Sequence, residues 1–304
     1  MALYEMHDRP SLESPVMIMV LEGWIDAGFA AATAVQTLLR GLDTFPVATF
    51  DSDALLDHRA RRPVMHLVDG VNTGLSWPGV ELRAGTDESG TDILLLLGAE
   101  PDHAWRSFTE AALDLAQEFG TRMVVGLGAY PATVPHTRPV TMSVTASTEE
   151  LAAVSGLLRG TLDVPAGVQA AVEMRCGELG LPAVGLWAQV PHYVTGEMMP
   201  YPAASLALIE QLGRTTGLVL PSGDLAADAT RTRNRIDAAV ASNSEHLAML
   251  HNLEERHDEA SQVGPAGGED LPSADELAAE VERFLRNRTD DDNDGDNDGG
   301  TEPE

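Results

Sequence analysis

Trp24, Asp26, Glu100, His103, His136, Arg138, His192 and Tyr193 are the residues of this chain best suited to chemistry or binding. They fall in four segments, each directly after an apolar run. These are Glu22-Gly-Trp-Ile-Asp-Ala-Gly, Ala99-Glu-Pro-Asp-His-Ala-Trp, Gly128-Ala-Tyr-Pro-Ala-Thr-Val-Pro-His-Thr-Arg-Pro and Val190-Pro-His-Tyr. A histidine here can act as general base, and an arginine can hold an anionic group. The tripeptide Val-Pro-His occurs at 134–136 and again at 190–192, which raises the question of a shared site. Ligands of open parallel sheets bind outside the carboxyl ends of the strands. If the preceding runs are parallel strands, all four segments share that edge, and Glu22 and Asp102 join the candidates.

Each candidate also has a plainer reading. Asp26 stands just before a helical run, where a carboxylate caps free backbone N–H groups. Trp24 can anchor a core or an interface. Glu100-Pro-Asp-His can be a turn followed by a helix cap, and the histidines beside Pro135 and Pro191 can simply bond backbone.

Named catalytic motifs are missing. There is no Gly-rich phosphate loop and no Gly-x-Gly-x-x-Gly after the first strand. Ser76 has Pro78 where a nucleophile elbow needs glycine. His246 and His251 are one step further apart than the i, i+4 spacing of a helical zinc pair. Asp290, Asp292, Asp294 and Gly295 loosely match the start of a calcium loop, but Thr301 stands where its closing Glu should be. A single cysteine, Cys176, excludes an intramolecular disulfide and a Cys-rich zinc site and reads as a core residue. No metal and no cofactor are expected.

The elements that must position these segments alternate in type. Strands are expected at 16–21, 46–50, 64–68, 92–98, 123–127, 140–145 and 184–189. Continuous aliphatics at 92–98 mark a strand buried on both faces. A hairpin turning through Asn72-Thr-Gly-Leu-Ser-Trp-Pro-Gly into Val80 is expected. Helices are expected at 30–40, 104–119, from Ser147 with Glu150 in a capping box, at 167–180 and at 203–216. The pattern implies an α/β domain over 1–217 with a largely parallel sheet. A helical appendage over 218–288 follows, with one helical stretch at 224–259 and another from Ser273. Residues 289–304 form an acidic low-complexity tail with the composition of a disordered segment.

Of 304 residues, 43% are apolar and 22% charged, as in an ordinary globular protein, but the net charge is −29. So acidic a surface repels phosphate backbones and anionic lipid, which argues against nucleic-acid and membrane partners. No secretory signal and no membrane-length apolar run are visible, so a soluble cytoplasmic protein is expected.

Gly23-Trp-Ile-Asp-Ala-Gly, Gly128-Ala-Tyr-Pro with Pro135-His-Thr-Arg-Pro, and Val190-Pro-His-Tyr with Pro200-Tyr-Pro-Ala-Ala form an ordered set. In this the chain resembles the bacterial, especially actinobacterial, branch of the proteasome assembly chaperone family named for the second such chaperone, over roughly residues 14–255. The resemblance implies a three-layer α/β/α domain of the phosphorylase/hydrolase-like kind and self-association as a homo-oligomer. Proteasome-binding relatives often end in a hydrophobic residue, a tyrosine and a last residue. The sequence here closes on Thr301-Glu-Pro-Glu, which argues against that docking mode. The reading that follows is a non-catalytic, chaperone-like protein acting through protein–protein contacts. The alternative is a small-molecule binder or enzyme with its pocket at the strand carboxyl ends.

Overall fold

The computed structural model describes residues 3–197 and 199–263. Ten strands follow in chain order: β1 (Tyr4–Met6), β2 (Val16–Glu22), β3 (Thr44–Phe50), β4 (Val64–Val68), β5 (Val71–Ser76), β6 (Val80–Thr86), β7 (Asp92–Ala99), β8 (Met123–Ala132), β9 (Met142–Ala146) and β10 (Ala183–Pro191). The helices are α1 (Ala30–Gly41), α2 (Ser52–Leu55), α3 (Trp105–Glu118), α4 (Glu149–Val154), α5 (Val168–Leu179), α6 (Pro202–Thr216), α7 (Leu225–Ala241) and α8 (Ser244–Val263).

Eight strands form one sheet in the order β1-β3-β6-β7-β2-β8-β10-β9. The central four, β7-β2-β8-β10, are parallel, and antiparallel strands complete both margins. Their sequences explain why the parallel group is central. Val16–Val20 and Ile93–Leu97 are buried along their whole length, as strands covered on both faces must be. On one face, α1 and α6 cover Val16, Ile18, Leu95, Leu127 and Leu186. On the other, α3 and α5 cover Met17, Met19, Leu94, Leu96 and Val124. The result is the expected three-layer α/β/α arrangement.

Gly98 interrupts the aliphatic run of β7 for a steric reason. Its φ is +127°, and an added Cβ would stand 2.0 Å from the carbonyl oxygen of Gly79, the residue that leads into β6. Only glycine lets the two backbones approach so closely there.

Local expectations needed correction. The hairpin lies earlier than 72–83: β4 pairs with β5 across Asp69 and Gly70. Both turn residues have positive φ, 49° and 77°, the two-residue turn that matches strand twist. The helix expected to open at Ser147 is capped instead by the Thr148 hydroxyl, which accepts the Leu151 N–H. Ser147 takes a different role, its Oγ accepting the Ala183 N–H. The stretch 224–259 is two helices, broken between Ala241 and Ser244, and β1 and α2 are additional elements. No helix among the described residues is long and apolar enough to cross a membrane. The helix expected from Ser273 and the acidic tail lie outside the described residues.

Candidate functional site

β8 and β10 run parallel in register, ending with Pro191 opposite Ala132, so their following loops leave the sheet side by side. That register brings the repeated Val-Pro-His segments together. The Tyr193 ring stands between the two histidines, 5.7 Å from His136 and 5.3 Å from His192, edge-on to both. Its hydroxyl accepts the His136 backbone N–H at 2.8 Å and lies 2.7 Å from His136 Nδ1. His136 Nε2 lies 2.9 Å from Asp237 Oδ1 on α7. A neutral imidazole satisfies the whole set: the tyrosine hydroxyl donates to Nδ1, and Nε2–H donates to the carboxylate. Burial, reinforced by the Glu254 and Asp237 carboxylates, pushes the Tyr193 hydroxyl up to about 12.

The next residues continue the pattern. Thr137 Oγ1 donates to Glu254 at 2.5 Å, and Arg138 donates to the same carboxylate at 3.0 Å. Arg138 also grips Asp258 in a bidentate pair at 2.8 and 2.7 Å. Those bonds raise its already high pKa further. Residues 136–138 thus each bond to α7 or α8. The helical appendage folds back on this edge of the sheet, with α7 packed on α6 and Val240, Leu250 and Leu253 buried. Arg138, expected to offer its guanidinium to an anionic ligand, is engaged with carboxylates of its own chain.

The remaining candidates follow β2 and β7 in the chain, although Asp26 bridges across to Ala129 of β8. Buried Glu100 accepts the Val168 N–H at 2.7 Å, which caps α5. Desolvation raises its pKa, and that bond partly offsets the rise. Gly167 is required beside it: a Cβ there would stand 2.9 Å from both Glu100 Oε1 and Trp24 Cδ1. Asp102 accepts the Asp57 N–H at 2.8 Å and pairs with Arg61, whose Nη1 donates to the Glu22 carbonyl at 2.8 Å. Gly23 makes room for that guanidinium, since its φ is +133° and a Cβ would meet Arg61 Nη2 at 2.2 Å. His103 is exposed, and its N–H bonds the Leu55 carbonyl. Asp26 takes its capping role, accepting Ala31 N–H at 2.8 Å and Ala32 N–H at 2.9 Å. Burial nevertheless lifts its pKa to about 6, outweighing those two bonds.

The contacts therefore sort the candidates into groups. His136, Arg138 and Tyr193 gather under α7 and α8 with His192 edge-on to Tyr193, while Trp24 and Glu100 gather at the start of α5. Sequence reasoning missed Asp237, Glu254, Asp258 and Arg61 as partners. It also missed a polar sheet face. There Trp187 Nε1 donates to Thr145, Thr145 donates to Glu173, and Gln189 donates to Tyr130. Burial pushes Glu173 up to about 7. Period-two spacing of Thr145 and Ser143, and of Gly185, Trp187 and Gln189, was the available signal. No group of residues able to hold a metal ion occurs among the described residues.

The PAC2 family profile matches residues 20–240, most of the α/β domain and α7. The chain belongs to the PAC2 family. Solved structures agree with the assignment. A Mycobacterium tuberculosis protein of unknown function, Rv2714, is 35% identical, with a TM-score of 0.81 over 93% of this chain and 96% of that one. The M. tuberculosis proteasome-assembly chaperone homologue Rv2125 is 33% identical, with a TM-score of 0.72 over 78% and 99%. A PAC2 family protein from Streptomyces avermitilis is 36% identical, with a TM-score of 0.69 over the same shares. No curated protein matches the chain. The actinobacterial resemblance read from the three motif segments is thus borne out, and PAC2 membership carries the α/β/α fold with it.

Proposed function

We propose that this PAC2 protein is a non-catalytic, chaperone-like assembly protein that works through protein–protein contacts and begins by associating with itself. The observation that carries the reading is the β4–β5 hairpin. Every residue of both strands is exposed, and Val64, Met65, Leu67, Val68, Val71 and Leu75 expose between 44% and 62% of their surface. A two-stranded hairpin is at best marginally stable alone in water and needs a surface to cover it. Scattered apolar side chains are normal on a protein surface, but a contiguous set on both faces of one projection marks an interaction site.

A second copy of the chain supplies a fitting surface. Val154, Leu162, Val164, Met174 and Leu179 are also exposed, on and around α4 and α5. Glu149, Glu150 and Glu178 accompany them, whereas Arg59 and Arg62 lead into the hairpin. An apolar arm with a basic stem suits an apolar patch with an acidic surround. Kinship to a proteasome-assembly chaperone homologue supports a role in assembling other proteins. The engagement of His136 and Arg138 by α7 and α8 supports the non-catalytic side of the reading.

The test is sedimentation velocity on the full chain and on a Leu67→Glu, Val71→Glu double variant. The wild type should sediment as a homo-oligomer and the variant as a folded monomer with an unchanged circular dichroism spectrum. A wild-type monomer, or a variant that keeps the wild-type assembly, contradicts the proposal.

A further inference from the structure

The two margins of the sheet differ. Beyond β9, the Val144 N–H bonds the Leu158 carbonyl at 3.1 Å and the Leu158 N–H returns to Met142 at 3.3 Å, so that edge is covered. β1 is the last strand on the other side. It pairs Tyr4 with Phe50, Glu5 with Thr49 and Met6 with Ala48. The Asp51 N–H bonds the Leu3 carbonyl at 2.9 Å, and the His7 N–H bonds Val47 at 2.8 Å. Backbone groups alternate in direction along an antiparallel ladder. Leu3, Glu5 and His7 therefore face β3, and the N–H and C=O groups of Tyr4 and Met6 point away from the sheet.

Two grooves meet at Tyr4 on this margin. One, of about 680 Å³, lies between β1 and α3, with Met6, Glu110 and Asp114 in its walls. The other, of about 560 Å³, lies at the Phe50 end, walled by Glu5, Asp51, Asp53 and Trp77. The single cation in either lining, Arg9, is ion-paired with Glu118. Carboxylates lining the same grooves as the aromatic rings of Tyr4 and Trp77 suit a guanidinium or ammonium group. Asp51 caps α2, Asp53 bonds His58 and Glu110 bonds Arg175. A carboxylate has about four lone-pair sites, so each can accept a further donor.

We infer that the β1 margin takes up an extended, arginine- or lysine-bearing segment of a partner protein as an added strand. The segment's backbone pairs with the outward groups of Tyr4 and Met6, and its basic side chains enter the acidic grooves. Strand addition supplies affinity through main-chain bonds, and the grooves supply selectivity for charge. The chain's net charge of −29 favours the same sign of partner from a distance. This goes beyond self-association and uses a surface that no strand residue of the hairpin lines, so either idea can fail alone.

The test uses the full chain in whatever assembly it forms. The probe is a fluorescent, acetylated peptide of alternating arginine and valine. The controls are its glutamate counterpart and two versions N-methylated at alternate residues, one in each phase. Anisotropy should show saturable binding of the arginine peptide at submillimolar concentration and none of the glutamate peptide. One N-methylated phase should bind about tenfold more weakly, the effect of about 1.4 kcal/mol of lost main-chain bonding. Hydrogen exchange should slow at the Tyr4 and Met6 amides on binding. Met6→Pro removes an outward N–H that the β1–β3 ladder does not use, and it should weaken binding about as much. Should Met6→Pro alter the melting curve, Asp114→Arg, exposed on α3, carries the test by reversing one wall and weakening binding severalfold. The inference is overturned by equal binding of both N-methylated peptides, which is charge attraction alone. It is equally overturned by unchanged exchange at Tyr4 and Met6, or by no binding of the arginine peptide.

Discussion

Replacing His136 asks whether this side chain holds α7 and α8 on the edge of the sheet. The imidazole is fully buried, with Nδ1 bonded to Tyr193 and Nε2 to Asp237. Phenylalanine keeps most of the ring volume and removes both bonds. A hydrogen bond contributes about 1 kcal/mol net, and one to a charged group about 1.5–3 kcal/mol. Asp237 is 45% exposed and regains water when released, which places its bond at the low end. The Tyr193 hydroxyl keeps the backbone N–H of residue 136, but its own proton loses its acceptor in a buried setting, which costs more. His136→Phe should therefore destabilise by about 2–3 kcal/mol and Asp237→Ala by about 1 kcal/mol. A double-mutant cycle between them should return a coupling of about 1 kcal/mol. Urea denaturation measures the cycle, and hydrogen exchange locates the effect. Exchange in α7 and α8 should quicken at least about fivefold in His136→Phe, because 1 kcal/mol of local stability corresponds to that factor. A coupling below about 0.3 kcal/mol, within the range of simple additivity, would refute the reasoning. So would unaltered exchange in both helices.

Three further outcomes are expected. Asp26 has a folded-state pKa raised to about 6, so its protonation contributes stability that is fully present below the ordinary carboxylate value near 4 and lost as pH rises through about 6. Asp26→Asn should flatten the melting temperature against pH between about 4 and 7 relative to wild type; an unchanged profile contradicts the assignment. Gly98→Ala should destabilise by at least about 2 kcal/mol, since it combines a positive φ with a Cβ facing the Gly79 carbonyl, and a thermal melt reads it. Arg138→Gln should quicken amide exchange in α8 while leaving the β2–β7 pairing protected; equal acceleration in both would show that the arginine does not act on the appendage.

The central strands were legible because burial on both faces leaves a continuous aliphatic run, as in Ile93–Leu97. The helix ends at Gly120, Gly180 and Gly217 were legible because each of these glycines has positive φ at a helix terminus. The hairpin was misplaced although Asp69-Gly70 spells its turn. Strands with neither face buried show no apolar/polar alternation, and 72–79 offered a competing set of turn residues. β1 is too short to carry a period. In the site, the meeting of His136 and His192 followed from the parallel register of β8 and β10, which the sequence only hints at. The partners of Arg138 were not legible, because Glu254 and Asp258 lie more than a hundred residues away on a helix whose exposed carboxylates look like solvated charge. Asp26 and Glu100 had the expected ambiguity between cap and catalyst, and both accept helix N–H groups.

Native mass spectrometry of the purified full chain bears most directly on the central claim, that this PAC2 protein works through contacts between proteins. The account predicts an integral number of copies at micromolar concentration, at the mass of the polypeptide alone, falling to single copies in the Leu67→Glu, Val71→Glu variant. A wild-type monomer would contradict it, as would an assembly carrying a small extra mass that disappears with His136→Ala.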